Sequence, residues 1–276
     1  MERACLPEFK TATAAHRLGQ YCAWDIERRA AIDMVWVSKA HERNPAVHRV
    51  LPHGEPSIAI RRLRDGAGEI SSIDLTICGP YRQSSFYEPE PGEELIAIRL
   101  KPETAAACFD VSPADYFDEP PAAAPRSLYD ACSETLRRAE KSTRNDIAFA
   151  LMNDLDRLER RVEPDEPREA SAAVILRRSN GAISTKALAN LTGISERQLR
   201  RRFLDSVGAT PKAYGRQLRL TAASLAAERT ARPNWARIAA ATGFHDQAHM
   251  INEFQSLLSM TPQRLHRERR ALLDTD

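Results

Sequence analysis

The 276 residues exceed what one ordinary core needs and fit two domains. Apolar residues make up 42% of the chain without any run approaching the roughly 20 consecutive apolar positions of a membrane span, so no membrane role is expected. The net charge of +2 is uneven: residues 171–276 hold 17 Lys and Arg against 8 Asp and Glu, net +9, and residues 1–170 hold 23 against 30, net −7. The basic part is a candidate polyanion binder, because neutralising phosphates releases condensed counterions.

At the N-terminus, MERACLPEFK places acidic residues and a proline where a secretory signal would carry a basic stretch and an apolar core, so a cytoplasmic location is expected. Cys5, Cys22, Cys78, Cys108 and Cys132 are odd in number, widely spaced and never in a C-x-x-C pair. Neither a disulfide framework nor a zinc knuckle is expected of them, and the thiols are read as reduced. Extended segments follow at 34–39, 57–62, 70–78 and 94–100, broken by Gly, Pro and Asn. Alternation in Ile58/Ile60 and in Ile73/Leu75/Ile77 predicts half-buried strands of a small barrel or sandwich.

EPPAAAP at 119–125 ends this strand-rich part, since a proline-rich segment continues neither a helix nor a central strand. From Arg126 to Val162 the pattern turns helical, and Ile147, Leu151, Leu155, Leu158 and Val162 form one apolar stripe. Two readings fit it: a helix docked on its own strand domain, or the seam of a homodimer through 147–162. EPDEP at 163–167 reads as an acidic, proline-punctuated hinge. The expected division is a β-rich domain at 1–125, a helical connector at 126–163 and an all-helical domain at 168–270, an α+β chain overall.

Within the last part, Ser184 to Ser206 has the grammar of a helix-turn-helix. Ser184 caps a first helix with Ala187, Leu188 and Leu191 facing inward, Gly193 turns, and Ser195 caps a second helix with Gln198 completing a capping box. Leu199 and Phe203 pack inward, leaving Arg197, Arg200, Arg201 and Arg202 on other faces. The grammar recurs from Asn234 to Ser259: Asn234 caps, Ile238 and Ala239 face inward, Gly243 turns, Asp246 caps, and Met250 and Phe254 repeat the spacing of Leu199 and Phe203. Pro211 to Arg229 reads as one connecting helix with Tyr214, Leu218, Thr221 and Leu225 along a stripe.

LANLTGISERQLRRRF, the G-x-T-P of Gly208 to Pro211, Tyr214 to Leu220, and IAAATGFHDQAHMINEF with Thr261-Pro262 together resemble the DNA-binding domain of the AraC/XylS family of transcription regulators, over residues of about 171 to 268. The resemblance implies a partner in double-stranded DNA and a candidate partner in RNA polymerase. It places base-reading side chains at Arg197, Arg200 and Arg201 in the first unit and at Gln247, His249 and Asn252 in the second. Arginine can grip guanine, and Gln or Asn adenine, by paired hydrogen bonds. Arg202 and Arg216 are read as phosphate contacts, Trp235 and Phe244 as packing residues, and His249 equally as a partner for a local backbone group. The chain departs from the family pattern at Ser259 and Met260, where glycine usually precedes the final Thr-Pro, and at Asn252, where an arginine is common.

In that setting residues 1–120, including V-L-P-x-G at 50–54 and Gly-Pro-Tyr at 79–81, resemble the family's cupin-like sensory domains. The resemblance implies a small-molecule effector, with Trp36, Arg61, Tyr81 and Arg99 as candidate lining residues. His16, His41, His48 and His53 form no H-x-H pair, so no metal, cofactor or catalytic residue is expected. The alternative reading is an enzyme or DNA-repair protein that uses the basic domain only as a tether; Cys5 and Cys22, without nearby partners, do not supply the zinc cluster that a repair methyltransferase would need.

Overall fold

The computed structural model describes residues 20–25, 31–43, 45–102, 105, 116, 118–159 and 168–273. Its N-terminal part is built on a six-stranded antiparallel sheet of order β1-β2-β7-β4-β5-β8. The strands are β1 (Gln20–Asp25), β2 (Ile32–Lys39), β4 (Ser57–Arg64), β5 (Ile70–Cys78), β7 (Glu94–Leu100) and β8 (Ala122–Ala123), and a separate ribbon pairs β3 (His48–Val50) with β6 (Ser85–Tyr87). The four extended segments expected from alternation are β2, β4, β5 and β7; the sequence patterns did not reveal β1, β3 and β6. The proline-rich 119–125 segment carries a two-residue strand, β8, which pairs at the sheet edge, where missing N–H donors are tolerated.

Register explains the core. Val35, Ile98, Ile58 and Ile77 lie side by side across four strands, as do Val37, Ile96, Ile60 and Leu75 one pleat away. Three helices cover this face: α1 (Arg126–Ala131), α2 (Ser133–Ala139) and α3 (Arg144–Glu159). Ile147, Leu151 and Leu155 of the apolar stripe are fully buried in the same cluster, and Leu158 packs against it. The stripe therefore docks on its own sheet. The side chains of Ile147, Leu151 and Leu155 are unavailable to a second copy, which corrects the reading of these positions as a homodimer seam within 147–162. Val162 and the hinge at 163–167 lie outside the described residues. Arg62 fixes the helices to the sheet: it pairs with Glu94 and donates to the carbonyls of Ala139 (2.6 Å), the last residue of α2, and Ser142 (2.9 Å) in the turn that follows.

The C-terminal part is helical: α4 (Arg168–Arg178), α5 (Thr185–Thr192), α6 (Glu196–Val207), α7 (Pro211–Glu228), α8 (Trp235–Ala241), α9 (Gln247–Leu258) and α10 (Pro262–Leu273). Every expected cap is in place. Ser184 accepts from the Ala187 N–H, Ser195 and Gln198 form the capping box, Asn234 accepts from Arg237 and Asp246 from His249. Gly193 and Gly243 turn with φ of 68° and 82°. One cluster gathers α4, α5, α6 and the start of α7 around Leu188, Leu199, Phe203 and Tyr214, and a second gathers α7 to α10 around Leu220, Ile238, Met250, Phe254 and Leu265. Phe244 is buried in the second cluster and Trp235 packs against it.

Two inward assignments are corrected. Leu191 is 65% exposed; Leu188 and Ala189 carry the packing of α5. Leu225 is also exposed, because α7 serves both clusters and buries a broader set that includes Tyr214, Gln217, Leu220, Ser224 and Ala227.

Candidate DNA-binding surface and domain junction

Helical periodicity puts Arg197 and Arg201 on the side of α6 opposite Leu199 and Phe203 and Arg200 on a flank, and all three are exposed. Glu196 ties Arg200 at 3.1 Å, one turn back, so its guanidinium is steadied and partly neutralised, whereas Arg201 points most directly away from the core. Arg202 is exposed on the other flank.

In α9, Met250 and Phe254 occupy the places that Leu199 and Phe203 hold in α6, which makes Asn252 the counterpart of Arg201. Asn252, Gln247 and Gln255 are exposed. Gln255 lies on the same side as Asn252, and motif matching passed it over because the corresponding residue of α6 is Leu204. His249 is turned back on its own turn: Nδ1 accepts the His245 N–H at 3.2 Å, and the ring stacks edge-on against Phe244 at 5.6 Å. Its local role is thus visible directly. Hydrogen bonds from the His249 N–H and from His245 hold the Asp246 carboxyl below its usual range.

Arg216 is not a free cation. Its Nε donates to Glu253 at 2.5 Å and its Nη2 to the Ser256 hydroxyl at 2.9 Å, which staples α9 to α7. The first unit is fixed to the same helix one residue away, where Gly181 meets Gly215 so closely that a Cβ on Gly181 would fall 2.1 Å from the Gly215 carbonyl oxygen. The Arg219 guanidinium donates to the Gly181 carbonyl. Both units are therefore built onto one rigid α7.

The strand-rich domain grips that helix. The buried Glu55 carboxylate accepts the Tyr214 hydroxyl at 2.8 Å, and Gln217 Nε2 donates to the Tyr81 carbonyl at 2.8 Å. Gly54 lies flat on the Tyr214 ring, where a Cβ would sit 2.2 Å from Cδ2. Burial raises the Glu55 carboxyl, opposed by the Arg99 charge, and lowers His53 to about 3, so that His53 is neutral beside it. A second set of contacts reaches α10: Arg49 Nε donates to Glu268 at 2.9 Å, Arg269 donates to the Arg49 carbonyl at 3.2 Å, and Leu51 packs against the second helical cluster.

The candidate effector residues divide. Trp36 and Arg99 come together on the sheet face opposite the core, with the guanidinium 5.8 Å from the ring centre. Arg61 on that face is committed to Glu90 and Glu93, and so helps to secure the turn before β7. Tyr81 belongs to the domain junction, its ring edge-on to His53 and its carbonyl held by Gln217. Burial pushes the Cys78 thiol up to about 11, so its nucleophilic thiolate is scarce at neutral pH, and Cys132 is buried. Cys5, Cys108 and His16 lie outside the described residues. Among the described residues no cluster of His, Cys, Asp or Glu is placed to hold a metal, and no helix is long and apolar enough to cross a membrane.

Two capped helix pairs on one connecting helix, each presenting an exposed polar helix face, define a double helix-turn-helix DNA-binding domain. Residues 188–268 match the family described as a helix-turn-helix domain, and residues 29–120 match a domain of unknown function (DUF6597). Residues 188–268 are thus a helix-turn-helix domain, and the chain is similar to AraC-type DNA-binding transcription regulators. Among solved structures it is similar to an AraC-type transcriptional regulator from Chromobacterium violaceum, with 27% identity over 37% of this chain and 92% of that one and a TM-score of 0.34. It is also similar to the C-terminal domain of the two-component response regulator yesN from Fusobacterium nucleatum, with 22% identity over 35% and 94% and a TM-score of 0.32. ToxT from Vibrio cholerae is similar over 90% of this chain and 97% of its own at 10% identity, with a TM-score of 0.42. No curated protein matches the chain.

Proposed function

We propose that the strand-rich domain senses a small molecule and passes its state to the DNA-binding domain through α7. The supporting observation is the grip on that helix at Tyr214 and Gln217. A change in the 53–55 loop or at Tyr81 is felt by the element that carries both reading units, which gives effector binding a physical route to operator affinity. Arg197, Arg200 and Arg201 with Gln247 and Asn252 read bases, Arg202 meets phosphate, and Arg216 contributes by orienting α9.

Operator fragments selected from genomic DNA by the purified chain, with and without cell extract, test both halves of this reading. Specific binding should weaken steeply with salt. Arg201→Ala should cost about 1–3 kcal/mol and relax preference at one or two base pairs. A loss equal for all sequences would make Arg201 a phosphate contact, and identical fragments and affinities with and without extract would count against the sensor.

A further inference from the structure

Between the two domains runs a cleft of about 310 Å³ that none of the candidate effector residues lines. One wall is Arg49, Gln83 and Ser84 of the strand-rich domain; the other is Ser256, Ser259 and Arg264 on the α9–α10 corner. Guanidinium, hydroxyl and amide groups dominate the lining, and no carboxylate is among the lining residues. Arg49 is held rigid before any ligand arrives: Nε bonds Glu268, Nη1 bonds the Ser84 hydroxyl at 2.9 Å, and its plane lies 4.4 Å over the Phe86 ring. Glu268 offsets the Arg49 charge, so the cationic group left for a ligand is the exposed Arg264. The two bonded serines are polarised in the same sense. Ser84 Oγ accepts from Arg49 and Ser256 Oγ accepts from Arg216, which leaves each hydroxyl hydrogen to donate.

We propose that this cleft binds a small hydrophilic organic anion bearing carboxylate or phosphate groups, held by Arg264 on one wall and Gln83 and Ser84 on the other. The inference rests on the sensor reading above and gives it a ligand class and a place. The volume suits a compact metabolite, and donor groups, of which Ser84 and Ser256 are fixed in advance, suit charged oxygens better than an apolar chain. Because the anion spans both walls, its binding ties the strand-rich domain to the second reading unit.

Titration calorimetry on the full chain, with citrate and glucose 6-phosphate as probes and sorbitol as the uncharged control at constant ionic strength, tests it. At least one anion should bind and sorbitol should not. Arg264→Ala should weaken that binding about tenfold, the loss of a charge-assisted bond, and Gln83→Ala about threefold, the loss of a neutral one. Both positions are exposed, and unchanged ligand-free melting would show that each variant is folded. Absence of binding by both anions, equal binding of sorbitol, or binding undiminished in either variant would overturn the proposal. Salt-dependent DNA binding by the same samples without anion reports separately on the regulator reading.

Discussion

Ser259 closes α9 in the left-handed region at φ 56°, where a Cβ crowds the backbone and glycine does not. The corresponding cap of α6 is Gly208 at φ 79°. The family departure at this position is thus a local strain rather than a different turn. Ser259→Gly should raise stability by about 0.5–1 kcal/mol, seen as a higher denaturant midpoint at unchanged slope. A lower midpoint would show that the serine hydroxyl compensates. Gly54 is the opposite case, a position where only a bare Cα fits. In Gly54→Ala the new methyl group must displace the loop from the Tyr214 ring and stretch the Glu55 bond. Each domain keeps its own core, so the expected result is a larger radius of gyration in solution scattering with both domains still folded. An unchanged radius would mean that the junction absorbs the methyl group.

At the scale of elements, local chemistry was legible and partners were not. Ser184, Ser195, Asn234 and Asp246 could be read as caps because a cap is satisfied within its own turn, and β2, β4, β5 and β7 because each runs for seven or more residues, with alternation visible at Ile58/Ile60 and at Ile73/Leu75/Ile77. β3, β6 and β8 are too short to show a period. The duties of Arg61, Tyr81 and Arg216 depend on Glu93, Gln217 and Glu253, distant in sequence, so a resemblance could place them only by analogy. The α3 stripe shows the limit most clearly, since a docked helix and a dimer seam have the same periodicity. Burial decides between them and changes the outcome expected of mutation. Leu151→Asp with Leu155→Asp places two charges inside the sheet core, each costing on the order of 3–5 kcal/mol, so the strand-rich domain should lose its cooperative melting transition. A well-folded protein of smaller oligomeric mass would restore the seam.

At the scale of the whole molecule, the question is how one rigid connector presents two readers to a duplex. Helix α7 has 18 residues and spans about 27 Å at 1.5 Å per residue. Successive major-groove faces on one side of straight B-form DNA are roughly 34 Å apart. The protein has little freedom to make up the difference. The Gly181 to Gly215 contact locks the first unit to α7, Arg216 with Glu253 and Ser256 locks the second, and the strand-rich domain holds the flanking Tyr214 and Gln217. If α7 sets the separation of the two reading helices, either the duplex bends toward the protein, at an elastic cost of about 1–6 kcal/mol that the contacts of α9 offset, or only α6 inserts fully; we propose the bend. Those contacts come from neutral side chains, with Asn252 where α6 has Arg201, so the offset is narrow and the bend should be sensitive to them. Circular-permutation mobility of the operator complex should show a bent duplex, and Asn252→Ala should weaken binding and reduce the bend together. A straight duplex, with Asn252→Ala binding as tightly as the unaltered chain, would mean that α6 alone enters the groove.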